Sequence, residues 1–217
     1  MIRFENLSKS FWVNNRRKVV IDNLNLTLRT GQALGLLGRN GAGKSTLMQI
    51  ISGSMHPDTG RVVTDGTISF PVGFAGSFHP ELTGAQNTRF TARRYGVDSA
   101  QLPDFVQDFA EIGQHFYMPV KTYSSGMRSP LTFGLSLGIK FDTYLVDEVT
   151  AAGDASFKAK ARALFDDRMA TSGAIMVNHN LGELQEYCQS GIVLEHGKMQ
   201  YFEDIEEAIE VHKANMQ

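Results

Sequence analysis

Gly38-Arg39-Asn40-Gly41-Ala42-Gly43-Lys44-Ser45-Thr46 is the stretch on which the fold turns. It fits the phosphate-binding loop pattern: glycine, four residues of any type, glycine, lysine, then serine or threonine. The flanks agree with that pattern. Ala33 to Leu37 is a short apolar run ending in glycine, as a buried strand does, and Thr46 to Ile51 continues as a helix. The glycines let the backbone turn tightly and aim its N–H groups at phosphate oxygens. The helix start adds positive partial charge. In this frame Lys44 neutralises β- and γ-phosphates and the Ser45 hydroxyl ligates Mg²⁺.

Outward from this loop the front half reads as strands. Ile2 to Leu7 alternates weakly, Val19 to Ile21 is β-branched, and Leu24, Leu26 and Leu28 alternate with polar residues. A turn at His56-Pro57-Asp58-Thr59-Gly60 precedes strands near Arg61–Val63 and Thr67–Phe70. The middle is helical over Gly84–Tyr95, Gln101–Ile112 and Met127–Leu137. Behind it come a strand at Tyr144–Val146, a helix at Ser156–Met169 and a strand at Ala174–Val177. A helix at Leu181–Tyr187, strands at Ile192–Leu194 and Met199–Phe202, and a closing helix capped by Asp204 complete the chain. Strands alternating with helices imply an α/β fold with a largely parallel sheet, and the helical middle implies an inserted subdomain.

Composition excludes several classes. The 217 residues suit one domain, and 42% hydrophobic residues is too many for a disordered chain. A net charge of −2 points to no nucleic-acid partner. Cys188 is the one cysteine, so no internal disulfide framework forms; it reads as an inert buried thiol. The first residues show no signal-peptide core, and no stretch approaches the roughly 18–20 apolar residues that span a bilayer. A membrane role therefore goes through a partner. Arg16-Arg17-Lys18 reads as a solvated loop.

Tyr144-Leu145-Val146-Asp147-Glu148 is an apolar strand ending in two acids. Alone, such a pair is as a rule a solvated strand end. Beside a phosphate loop, Asp147 fits a partner of Mg²⁺, and Glu148 fits a general base that polarises the attacking water. His179 follows another strand. It is either a hydrogen-bonded structural histidine or a γ-phosphate contact on the same rim of the sheet. Tyr123-Ser124-Ser125-Gly126-Met127-Arg128 precedes a helix, where Ser124 or Ser125 alone would be an N-cap.

The order of these features resembles that of ABC ATPases: phosphate loop, helical insertion, Ser-x-Gly loop, strand with Asp-Glu, then histidine. The resemblance spans nearly the whole chain. It implies a P-loop NTPase core with a mostly parallel sheet, an N-terminal antiparallel β subdomain and an inserted α-helical subdomain. It also implies one ABC ATPase domain over residues 1–217, with the helical part at about 80–135. It further implies that Ser124 and Gly126 bind the γ-phosphate of ATP held by a second subunit, so the active form is a homodimer. Asp154, at the end of Ala151-Ala152-Gly153-Asp154, faces that subunit. Phe11 occupies the place of the aromatic that stacks on adenine; the lesser alternative is that Phe11 or Trp12 is core. His79 stands where the family has a glutamine that contacts metal and permease, Pro130 lies inside the signature helix, and Asn178 and Asn180 flank His179 in place of serines.

Among ABC proteins the chain looks most like the ATPases of capsule polysaccharide exporters. The stretches carrying that likeness are Ile68-Ser69-Phe70-Pro71-Val72-Gly73-Phe74, Leu82-Thr83-Gly84-Ala85-Gln86-Asn87, Lys121 to Arg128 and Phe141 to Glu148. Because the chain stops soon after the His179 region, no C-terminal sugar-binding domain is expected. The resemblance implies a peripheral subunit on the cytoplasmic face of a bacterial inner membrane. It would pair with a polytopic permease through which the polysaccharide passes. The alternatives are a soluble ABC ATPase acting on nucleic acid or protein complexes, and a small-molecule phosphotransferase. The latter leaves the signature loop and His179 unexplained.

Overall fold

The computed structural model describes residues 1–29, 31–73, 78–147 and 154–216. Glu148 and Ala151-Ala152-Gly153 lie outside the described residues. The chain divides into two compact units, Met1–Pro71 with Phe141–Glu148 and Thr171–Gln217, and Val72–Lys140 with Val149–Ala170.

In the first unit, β1 (Ile2–Val13) and β2 (Arg16–Leu28) form a long antiparallel hairpin. Asn14 and Asn15 turn it with φ of 49° and 60°, the left-handed pair whose twist matches that of the flanking strands. Register follows from the turn: Val13 faces Arg16, Trp12 faces Arg17 and Phe11 faces Lys18. Arg16-Arg17-Lys18 is thus not a solvated loop but the start of a strand, because the two-residue turn leaves it opposite β1. The runs Val19–Ile21 and Leu24–Leu28 belong to this same strand, irregular around Asn23 with its φ of 45°.

The second sheet of this unit is centred on β3 (Ala33–Leu37), buried along its whole length. After α1 (Lys44–Ile51), β4 (Thr59–Thr64) pairs with β1, so the first sheet has the order β2-β1-β4. The central sheet is completed by β5 (Thr143–Asp147), β6 (Gly173–Val177), β7 (Ser190–Glu195) and β8 (Lys198–Phe202), in the order β5-β6-β3-β7-β8. Its first four strands are parallel and β8 runs antiparallel to β7. Parallel strands covered on both faces need apolar side chains throughout. Leu36, Leu145, Ile175 and Ile192 meet that need and join Phe4, Leu7, Ile21 and Leu47 in one core. The strand expected at Thr67–Phe70 is instead a single bridge, Ile68 to Thr143. Ser69 explains it. Its hydroxyl accepts the Leu145 N–H at 2.9 Å, in the place of a ladder carbonyl.

The helices α6 (Leu181–Tyr187) and α7 (Ile205–Asn215) follow β6 and β8. Asp204 caps α7 as expected, its carboxylate accepting the Glu206 N–H at 2.8 Å. Cys188 is buried, and desolvation pushes its thiol up to about 12. That thiol stays protonated at any physiological pH and is a poor nucleophile.

The second unit is helical. α2 (Gly84–Arg94) opens with a capping box, Thr83 and Gln86 exchanging hydrogen bonds. α3 (Gln101–Ala110), α4 (Ser125–Gly138) and α5 (Ala155–Met169) pack around Phe109, which stacks on Phe133 at 6.5 Å and meets Phe157 edge-on at 5.6 Å. A Cβ on Gly134 would fall 2.8 Å from the Phe109 ring, so that close approach of α3 and α4 requires glycine. Pro130 is buried inside α4 and cannot donate to the Gly126 carbonyl, yet the helix runs through it. Two 3-10 turns, Gly113–Tyr117 and Val120–Thr122, lie before α4 where the sequence carried no periodic signal. Among the described residues no helix is long and apolar enough to cross a membrane.

Candidate active site

Three neighbouring strands end at one rim. β3 runs into Gly38, β6 into Asn178-His179, and β5 ends at Asp147, which pairs with Val177. The carboxyl ends of parallel strands are where open α/β sheets place ligands. With strands about 4.8 Å apart, Asp147 stands roughly 10 Å along the rim from β3.

The loop between β3 and α1 builds the cradle. Gly43 caps α1 with φ of 115°, a left-handed value that non-glycine residues adopt only with strain. A Cβ there would lie 2.1 Å from Val20 Cγ1. Gly43→Ala is therefore expected to displace the loop and weaken ATP binding by about 10-fold or more, since the backbone strain alone costs about 1–2 kcal/mol. Adding Val20→Ala should relieve the clash and recover part of the loss. Nucleotide titration of both variants checks this; full affinity in Gly43→Ala alone would contradict the geometry. The Lys44 ammonium donates to the carbonyls of Gly38 at 2.6 Å and Arg39 at 3.3 Å.

A cavity of about 480 Å³ opens on this loop, lined by Phe11, Val13, Lys18, Val20, Asn40, Gly41, Gly43, Lys44, Ser45, Thr46 and His179. Its size lies in the range of small-molecule sites. One face of the hairpin supplies the apolar end, because Phe11, Val13 and Lys18 share that face while Trp12 and Arg17 share the other. Phe11 is half-buried and fixed from its own strand: the Lys9 ammonium lies 5.4 Å from its ring centroid, a cation–π distance. Lys9 is held in turn by Asp58 at 3.0 Å. Hydrogen bonds from Lys9 and from the Ser10 hydroxyl and N–H pull the Asp58 carboxyl down to about 2.

On the α7 side, Gly38, Arg39, Asn40 and His179 meet His212 and Met216 around a cavity of about 290 Å³. The Arg39 guanidinium reaches the Asn215 carbonyl at 3.4 Å. Burial and the nearby Lys44 charge depress the basicity of His212, opposed by Glu195. The structure thus gathers Phe11, Gly38, Arg39, Asn40, Gly41, Gly43, Lys44, Ser45, Thr46 and His179, with Ala42 inside the loop donating its N–H to the Arg39 carbonyl at 3.0 Å.

Four other sequence-derived candidates belong to the second unit. His79 is exposed; its Nδ1 accepts the Glu81 N–H at 3.3 Å, and its own N–H donates to Asn87 at 2.8 Å. In the neutral ring this leaves the proton on Nε2. Ser124 is the N-cap of α4, its hydroxyl oxygen accepting the Met127 N–H at 3.3 Å. Gly126 beside it is exposed. Tyr123 anchors this start, its buried hydroxyl donating to the His115 carbonyl at 2.6 Å. The His79 and Ser124 segments are stitched together, since Lys121 N–H donates to Pro80 O and Val120 N–H to Leu82 O, both at 2.9 Å. Asp154 caps α5, accepting the Phe157 N–H at 2.8 Å.

Val13, Lys18, Val20 and His212 were missed by sequence reasoning. For Lys18 a signal existed: reading Asn14-Asn15 as a two-residue hairpin sets Lys18 opposite Phe11. No such signal marks His212, which arrives through the packing of α7.

Among the described residues no group of three or more His, Cys, Asp or Glu forms a metal cage. Among the described residues the rim offers the Ser45 hydroxyl and the Asp147 carboxylate. That sparse set fits Mg²⁺, which keeps several waters and takes one or two carboxylates plus substrate phosphates.

The ABC transporter family matches residues 21–151. The polysialic acid transport ATP-binding protein KpsT of Escherichia coli is 47% identical over 216 residues, covering 98% of this chain and 96% of that one. The capsule polysaccharide export ATP-binding protein CtrD of Neisseria meningitidis serogroup B is 41% identical, covering 99% of both. An ATP-binding cassette solved as a post-hydrolysis dimer with ADP and Pi superposes with a TM-score of 0.73 at 19% identity, over 93% of this chain and 98% of that one. The backbone likeness is one of fold, and the sequence likeness runs from end to end. Taken with the strand-end rim and its phosphate loop, these place the chain in the ABC transporter family.

Proposed function

We propose that this chain is the ATP-hydrolysing subunit of an exporter of capsular or related cell-surface polysaccharide, bound to the cytoplasmic face of a bacterial inner membrane. The observation that carries the proposal is the end-to-end likeness to capsule-export ATP-binding proteins, joined to a cavity with an aromatic end and a phosphate-loop end. Phe11 stacks on adenine. The amides from Gly38 to Thr46, Arg39, Asn40 and Ala42 among them, cradle the phosphates, and Lys44 neutralises the terminal ones. Ser45 and Asp147 would hold Mg²⁺, with His79 as a further candidate contact. The ion neutralises charge on the phosphates when bound.

Glu148 takes a proton from the attacking water, and His179 holds the γ-phosphate from the end of β6. Ser124 and Gly126 present a second helix N-terminus, which in a head-to-tail dimer closes on the nucleotide of the other subunit, with Asp154 at the same interface. ATP then joins the subunits and hydrolysis releases them. A polytopic permease, not this subunit, contacts the polymer.

Expression with and without the co-encoded membrane protein tests the assignment. Co-purification with that permease from the membrane fraction is expected. A chain that stays in the supernatant and never retains a polytopic partner refutes it.

A further inference from the structure

We propose that Lys18 is a second cationic ligand of the nucleotide, contacting its α-phosphate from β2. The proposal rests on the nucleotide site described above and adds a residue to it. Lys18 is the cross-strand partner of Phe11, and both line the same cavity. Directly paired residues on one face have Cβ atoms about 5 Å apart, so the root of the lysine lies beside the ring. Its ammonium donates to the Gly41 carbonyl at 3.0 Å, at the crown of the phosphate loop. The side chain therefore runs from the aromatic end to the phosphate end. Lys44, Ser45 and His179 occupy the terminal-phosphate end. A charge between the two ends meets the phosphate nearest the ribose.

The local chemistry favours this over a purely structural strut. Gly41 carries no side chain, and a Cβ there would stand 3.6 Å from the Lys18 ammonium. The ammonium has three donors and the Gly41 carbonyl takes one. The other two remain for phosphate oxygens. Lysine serves phosphate as a compact point charge on a flexible stem. Arg17, the next residue, points to the other face and binds the Ser10 hydroxyl at 3.1 Å. Arg16, opposite Val13 on the Lys18 face, does not line the cavity, so Lys18 is the residue of the Arg16-Arg17-Lys18 run that reaches it.

The test is titration of the full-length chain, without Mg²⁺ so that no turnover occurs, with ATP, ADP, AMP and adenosine. Lys18→Gln should weaken ATP, ADP and AMP by about 10-fold each, as expected for a lost charge-assisted hydrogen bond. Adenosine should bind as it does to the unaltered chain, and Lys18→Arg should restore most of the loss. Thermal melting confirms that the exposed substitution leaves the fold intact. An unchanged ADP affinity in Lys18→Gln, or an equal loss for adenosine and ADP, overturns the assignment. Lys44→Ala separates this from the wider site. If it too binds ADP like the unaltered chain, the phosphate site itself is misplaced and Lys18 falls with it.

Discussion

Glu148→Gln is expected to bind ATP as tightly as the unaltered chain and to turn over about 10²–10⁴-fold more slowly, the usual contribution of a general base. The amide keeps the shape of the carboxylate and loses its basicity. In the proposed mechanism uncleaved ATP keeps two subunits together, so sizing with ATP and Mg²⁺ should show a dimer that persists. Glu148 follows Asp147 in sequence, and Asp147 ends β5, the strand beside β6. A chain that remains a monomer with ATP, or keeps its normal turnover, would remove Glu148 from the mechanism.

Lys44→Ala acts at a different step. The ammonium lies within hydrogen-bond reach of the Gly38 and Arg39 carbonyls, so it both supplies charge and ties the loop. Removing a charged hydrogen bond costs about 1.5–3 kcal/mol, which is roughly 10- to 150-fold in affinity. ATP and ADP should both bind more weakly, and no dimer should form at ATP concentrations that suffice for Glu148→Gln. Equilibrium titration separates the two variants: one loses turnover, the other loses the ligand. Retained affinity after Lys44→Ala would contradict the phosphate assignment.

The central sheet and its rim were largely legible before any coordinates. Ala33–Leu37 and Tyr144–Val146 are apolar runs with little else to become, and the phosphate loop pins its neighbours. The hairpin was less legible. Bulges near Asn6 and Asn23 break its alternation, so one long strand read as fragments and Lys18 as loop. Thr67–Phe70 misled for the opposite reason. Its apolar alternation is real, but Ser69 spends its side chain on β5 and Pro71 ends the run. The His79 and Ser124 segments carry no periodic pattern, and their pairing depends on contacts nearly forty residues apart in sequence.

That pairing fastens one segment to the other. Residues 80–82 and 120–121 share two backbone hydrogen bonds, and Tyr123 fixes the lower end against His115. Displacing the backbone at residues 80–82 strains two hydrogen bonds to the segment that precedes α4, so the two segments are expected to shift together rather than one at a time.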